Sequence, residues 1–227
     1  MNIQTKHNPQ TNIVRVFVDE KNHFGSPLGI VVDEKMQIDG KHRQQIATTL
    51  NYSETVFIND IQSGSITVFS PQQECPFSMY AAMGAAWFIN TKLKCQISQL
   101  VSKDQTIAVF LKEGTMWVRS KLSILPPWNF VEYQTVSEIE SFKESEFLQK
   151  EHVMAWAWAD KQKEIIRART FANDWGIPED EANGSGAMRL AAKLKKNVTV
   201  IHGKGSIICA KSIDQNHGEV GGRCYSL

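Results

Sequence analysis

Asn51-Tyr52-Ser53-Glu54-Thr55-Val56-Phe57 joins a helical pattern to a strand pattern and places a carboxylate at the joint. The segment before it, His42 to Leu50, reads as a helix. The run after it, Thr55 to Ile58, is β-branched and aromatic and predicts a strand. From the residues alone Glu54 has two readings. It is either a solvated glutamate at a helix-to-strand turn, the usual place for a charged side chain, or a carboxyl that Val56, Phe57 and Ile58 desolvate. Desolvation would raise its pKa toward the working range of a general acid or base.

Outward from this joint the chain is rich in short strands: Ile13 to Val18, Leu28 to Val32, Ser65 to Phe69, Thr106 to Leu111 and Met116 to Ser120, most of them bounded by turn-forming residues. A second helix, Ala81 to Asn90, is so rich in alanine and large apolar residues that it must be mostly buried. A curled, largely antiparallel sheet around a central helix fits this pattern. Pro126 and Pro127 then remove two ladder donors and stiffen the backbone, which marks a boundary between residues 1–126 and 127–227. Beyond it we expect a polar helix from Ser137 with a capping box to Glu140. Strands follow at Val153 to Ala159 and Ile165 to Phe171, a helix near Gly186 to Lys195, and strands at Val198 to His202, Ser206 to Ala210 and Gly222 to Ser226. Phe69 and Gly84 are spaced as Phe171 and Gly186 are, so the second half reads as a repeat of the first, although two unrelated strand-loop-helix units would look the same.

Composition narrows the function. The chain has 227 residues, 42% of them hydrophobic and 22% charged, with a net charge of +1. That balance suits a globular protein and supplies no field for nucleic acid or anionic lipid. A small-molecule ligand is the better default. No window approaches the ~20 apolar residues of a membrane span, and Met1 to Asn12 lack the apolar run of a signal peptide. A cytoplasmic protein without membrane or nucleic-acid partners is expected. Cys75, Cys95, Cys209 and Cys224 are far apart and read as reduced thiols, and the scattered histidines form no metal-ligand spacing, so no metal is expected. Trp156 and Trp158 share one strand face, and with Trp128 and Trp175 they serve either core packing or an aromatic ligand wall. Lys193, Lys195 and Lys196 complement a helix C-terminus.

Five motifs in order carry a resemblance. Phe24 to Val32 (F-G-S-P-L-G-I-V-V) is similar to F-x-G-N-P-x-A-V-V. Ile46-Ala47 with Asn51 to Phe57 is similar to I-A-x-x-x-N-x-S-E-T-x-F. Val68 to Pro71 with Glu74 to Phe77 follows F-T-P-x-x-E-L-P-F. Arg169 to Ala172 and Gly176 to Ser185 follow R-x-F-A and G-x-x-E-D-x-A-T-G-S. These are motifs of the phenazine-biosynthesis PhzF-like isomerase family, which the chain resembles from about Ile13 onward, with a compressed stretch between Trp128 and Val153.

The resemblance implies an α+β fold of the diaminopimelate-epimerase type. In it two pseudo-symmetric halves, each a curled mostly antiparallel sheet or barrel around a central helix, enclose an active site between them, and the last strand is free to pair back with the first half. It also implies a homodimer and cofactor-independent acid/base proton transfer within a small carboxylic acid. By position Glu54 becomes the general acid/base and Asp180 the second catalytic carboxyl. Tyr80 stands where the family has a catalytic histidine. Ser53, Ala81, Asn183, Gly184, Ser185, Gly186 and His202 become substrate-binding residues. Independently, Asp180 precedes a predicted helix N-terminus that favours anions, where aspartate also commonly serves as a cap.

The departures matter too. Ser26 replaces the usual Asn, Ser78-Met79-Tyr80-Ala81 replaces A-G-H-P, Asn183 replaces Thr, and His202-Gly203 replaces Q-G. Tyrosine donates a hydrogen bond but cannot become a cation, and with a pKa of ~10 it is a weak base. Cysteine-based epimerases of this fold place thiols where this chain has Ser78 and Asn183, so a two-thiol mechanism is not expected. The alternatives to an isomerase are a noncatalytic small-molecule binding homologue, and a ligand-free structural dimer whose cleft Met79 and Tyr80 would fill.

Overall fold

In the computed structural model, residues 9–76, 78–103, 105–147 and 151–227 are described, apart from the side chains of Glu144 and Trp175. Phe77, in the third motif, lies outside them. The strands are β1 (Thr11–Val18), β2 (Ser26–Val32), β3 (Thr55–Asp60), β4 (Ser65–Phe69), β5 (Glu74–Cys75), β6 (Gln99–Ser102), β7 (Gln105–Lys112), β8 (Thr115–Lys121), β9 (Asn129–Glu132), β10 (Val153–Asp160), β11 (Ile165–Ala172), β12 (Ile177–Asp180), β13 (Val198–His202), β14 (Ser206–Ser212) and β15 (His217–Ser226). The helices are α1 (Gly40–Leu50), α2 (Met79–Thr91), α3 (Val136–Ser141) and α4 (Gly184–Leu194).

Eight strands, in the order β1-β2-β3-β4-β6-β7-β8-β15, form a ring that the β1–β15 pairing closes. Closure removes the open edges that an antiparallel sheet would otherwise expose. Helix α2 runs through this barrel and packs against β1, β2, β3, β6, β7, β8 and β15. Its sequence explains the fit. Nearly every residue from Met79 to Asn90 is buried, and Gly84 lies so close to β2 that a β-carbon there would meet Leu28 Cδ2 at 2.4 Å. The Asn90 carboxamide oxygen, at the far end, accepts the Ile97 amide at 2.8 Å.

From β15 the sheet continues as β14-β13-β11-β10-β9 and does not close. Its inner face wraps α4, while α3 covers the outer face of β10 and β11 through Ile139, Phe147, Val153, Ala155, Ala157 and Phe171. The α+β class and epimerase-like architecture expected from the motifs are therefore present, with a closed barrel in one half and an open sheet in the other.

The repeat is topological. In both halves a strand is followed by a short return strand, a capped helix and a parallel strand, β4-β5-α2-β6 and β11-β12-α4-β13. The expected Gly84–Gly186 equivalence does not hold, because Gly84 falls on the second turn of α2 and Gly186 on the first turn of α4. The corresponding positions are the N-caps, Ser78 and Asn183. The capping box also differs from expectation. Thr135 and Glu138 form it, with Glu138 Oε2 accepting the Thr135 amide at 2.8 Å, because Glu140 instead faces the sheet and pairs with Arg167. Trp156 lies in the core and Trp158 packs partly against it.

One distortion sits where the halves meet. The β1 ladder slips between Val16 and Val18, and Phe17 takes φ 70°, a conformation that bulky residues rarely adopt. The bulge turns its fully buried ring toward Gly184 at the start of α4 and Gly222 in β15.

Candidate active site

Between the halves lies a cavity of about 220 Å³, walled by Glu54, Tyr80, Asp180, Asn183 and Trp128 among others. Two helix N-termini point at it. Ser78 caps α2 by accepting the Ala81 amide at 3.4 Å, and Asn183 caps α4 by accepting the Gly186 amide at 2.6 Å. Each cap satisfies only the third helical amide. Those of Met79, Tyr80, Gly184 and Ser185 lack intrahelical acceptors by helix geometry, and all four residues line the cavity. The helices approach end to end, since a β-carbon on Gly184 would lie 3.7 Å from Met79 Cβ. Two positive dipole ends thus converge on one space.

Glu54 enters from the barrel side. Asn51 ends α1 in the left-handed conformation, φ 52° and ψ 31°, and the chain turns so that Glu54 stands at the start of β3 with its carbonyl accepting the Gly29 amide. Its Oε2 is buried and has no partner among the described residues. Burial raises the Glu54 pKa to about 8. A hydrogen bond with the Ser78 hydroxyl opposes the rise, and the charge of Asp180 adds to it.

Asp180 enters from the other half at the end of β12, opposite Thr170 of β11. Its Oδ1 accepts the Ala182 amide at 3.1 Å. Burial raises its pKa to about 6, against that amide bond, with smaller contributions from Glu181 and Glu179. It is not the cap of α4, a role that Asn183 fills. Tyr80 donates its hydroxyl to the Pro27 carbonyl at 2.8 Å. Burial, with Glu54 and Asp180 adding to it, pushes the phenol well above its ordinary pKa, so it stays neutral.

Other expected residues divide into two groups. Ser53, Asn183, Gly184 and Ser185 line the cavity, whereas Ala81, Gly186 and His202 are not in its wall. The amides of Ala81 and Gly186 are occupied by the caps. His202 is fully buried behind the site, with Nε2 2.8 Å from Thr170 Oγ1 and Nδ1 3.0 Å from the Glu181 carbonyl. Burial lowers its pKa to about 4, so the ring is neutral, with Nδ1–H donating to Glu181 and Nε2 accepting from Thr170. Gly203, at φ 53°, lets the loop lie directly on it, since a β-carbon would come 2.4 Å from the Glu181 carbonyl oxygen. His202-Gly203 therefore supports the Asp180 loop from behind.

Met79 and Tyr80 do not fill the cleft, as the ligand-free reading expected; both stand in the wall of an open cavity. Sequence reasoning missed the linker residues that form another wall, Ile124, Leu125 and Pro126, whereas Trp128, weighed there as part of an aromatic ligand wall, does line the cavity. Arg189 of α4 clamps the linker, donating from one nitrogen to the carbonyls of Leu122 at 3.0 Å and Leu125 at 2.6 Å. The two adjacent prolines, read only as a boundary, were the available signal. Trp175 has no described side chain to place. Among the described residues no group of three or more His, Cys, Asp and Glu side chains could hold a metal ion, and no helix is long and apolar enough to cross a membrane.

Residues 14–123 match the family model described as phenazine biosynthesis-like protein. The fold resembles that of a Clostridium difficile protein of the phenazine biosynthesis PhzC/PhzF type, with a TM-score of 0.78 and 17% identity over 96% of each chain. It also resembles an Enterococcus faecalis protein of the PhzF family, with a TM-score of 0.79 and 19% identity over 96% of this chain and 97% of that one. A hydroxyproline epimerase from Agrobacterium vitis shares the fold at a TM-score of 0.61 and 10% identity, over 96% of this chain and 90% of the other.

Proposed function

We propose that this chain, a divergent relative of the phenazine biosynthesis-like proteins, is an isomerase that moves a proton between carbon atoms of a small carboxylic acid held between its halves. The observation that carries this reading is Glu54: a buried carboxyl in the cavity wall, with one oxygen lacking a partner among the described residues and a pKa raised to about 8. A carboxylate of ordinary pKa is a poor base toward carbon, and raising that pKa toward the working pH strengthens it while leaving an ionised fraction. Glu54 takes the proton from one carbon and returns it to another. The substrate carboxylate lies against the amides at the starts of α2 and α4, which also stabilise negative charge developing as the proton leaves. Asp180, mostly ionised at neutral pH, holds a substrate amine or hydroxyl. Tyr80, committed to the Pro27 carbonyl, takes no part in proton transfer.

Incubation with cyclic carboxylic and amino acids in deuterium oxide tests this reading. Solvent deuterium should appear at carbon with the wild type and not with Glu54→Gln. Undiminished incorporation in the variant would reject the assignment. The fixed, neutral Tyr80 favours a second reading, a noncatalytic homologue that binds acids in the same cavity. That reading predicts binding without exchange, and binding unaffected by Glu54→Gln. A homodimer belongs to the family-based proposal, and sedimentation velocity checks it.

A further inference from the structure

We propose that Asn183 selects the ligand of this cavity by presenting its side-chain N–H groups to a hydrogen-bond acceptor, and that Trp128 is the positioning residue that holds it in that orientation through Ser185. The inference rests on the cleft being a ligand site, and it deepens that reading.

The hydrogen bonds determine which way the Asn183 amide faces. Its acceptor atom takes the Gly186 amide at 2.6 Å, a bond that only the oxygen can accept, so the oxygen faces α4. The same oxygen accepts the Ser185 hydroxyl at 3.1 Å, and Ser185 in turn accepts the Trp128 indole N–H at 3.2 Å. A hydroxyl has one proton to give. Because the indole can only donate, the Ser185 proton is directed to Asn183. The chain Trp128 to Ser185 to Asn183 is therefore polarised in one direction, and each member holds the next. What remains is Nδ2 of Asn183, which has no partner among the described residues although Asn183 is 4% exposed and lines the cavity. An amide nitrogen left free beside the cavity is available to a ligand acceptor.

Trp128 contributes a second constraint. It belongs to the linker that brings Ile124, Leu125 and Pro126 to the same wall, and the ring of His152 packs edge-on against it at 5.5 Å between centroids. Arg189 holds this linker one helical turn beyond Ser185 on α4. The apolar wall and the amide donor thus stand at fixed relative positions. They fit a compact molecule with a hydrocarbon ring or branched chain on one side and a carboxylate or carbonyl oxygen on the other.

Benzoate and benzamide, titrated calorimetrically, separate the possibilities, because benzamide replaces one acceptor with a donor. The wild type should prefer benzoate by about tenfold or more, the scale of a hydrogen bond to a charged acceptor. Asn183→Asp keeps the capping oxygen and removes the donors, so it should reverse the preference with the melting temperature unchanged. Trp128→Phe keeps an aromatic ring, though a smaller one, and removes the indole N–H; the preference should shrink without reversing. In turnover Asn183→Asp should raise KM for carboxylates much more than it lowers kcat. A wild type that binds neither compound or both alike, or an Asn183→Asp variant that keeps the wild-type preference, overturns the inference. Glu54-dependent deuterium exchange would survive any of these results, which separates this inference from the proposed reaction.

Discussion

The ring of Phe17 occupies the space that side chains at Gly184 and Gly222 would need: a β-carbon would lie 3.0 Å from it at Gly184 and 2.4 Å at Gly222. Phe17 is fully buried, so it has no empty space to move into. We expect Gly222→Ala to destabilise the protein by about 1–3 kcal/mol, the usual range for overpacking. Phe17→Leu in the same chain should restore part of the loss. A double-mutant cycle in urea measures the coupling, and simple additivity would disprove the steric account.

The pH dependence of turnover should follow Glu54. Because it acts as a base, kcat/KM should rise with pH through about 8, its raised pKa. The neutral Tyr80 should add no falling limb at moderately alkaline pH. Asp180 raises the Glu54 pKa by its charge, so Asp180→Asn should move the midpoint of the surviving activity to lower pH. The shift should be the smaller part of the total displacement, since burial is the larger cause. A midpoint unmoved or raised in the variant would count against the two carboxyls sharing one field.

Stability carries the same signature with the opposite sense of pH. Glu54 binds its proton more tightly folded than unfolded, so its contribution is fully present below the ordinary value of 4.5 and is lost as pH rises through about 8. Glu54→Gln, which cannot ionise, should lack that loss. The variant should gain on the wild type across this window by on the order of a few kcal/mol. Denaturant titrations at several pH values measure the difference, and a constant offset would exclude the buried charge as its cause.

His202 works in the other direction. Its folded pKa of about 4 lies below the ordinary 6.5, so its contribution is present above 6.5 and lost as pH falls through about 4. His202→Gln should flatten the acid side of the stability profile. Where glutamine preserves the bonds to Thr170 and Glu181, activity should persist. His202→Ala leaves those groups unpaired inside the protein and should cost about 2 kcal/mol or more, with activity lost as the Asp180 loop loosens.

Much of the fold was legible because its signals are local. The β-branched runs from Ile13 to Val32 and the alanine-rich α2 announce themselves by composition, and the order of the motifs linked them to one architecture. The carboxyls stood out only through the motifs, since from their neighbours alone Glu54 also read as a solvated turn and Asp180 as a helix cap. The role of His202 was not legible, since whether a histidine faces a cavity or the space behind it depends on the pairing of β11 with β13. Short strands such as β9 and β12 exist only through their partners and left no periodicity. The apolar linker wall escaped for a related reason: Trp128 meets Ser185, 57 positions further along the chain, and only the tertiary fold sets that meeting.

β15, shared by the closed barrel and the open part of the sheet, also bears on how this protein assembles. It lies between β8 and β14 and pairs with β1, so the final stretch of the chain joins the first strand to the rest. A ribosome that has released only the first half has released β1 and β8 as two bare edges, with α2 lacking one side of its enclosure. Such a nascent chain depends on its own completion for shelter, and edges of this kind invite association with other chains until then. Contacts between strands as far apart in sequence as β1 and β15 slow folding, so the time spent before closure is time spent with those edges bare.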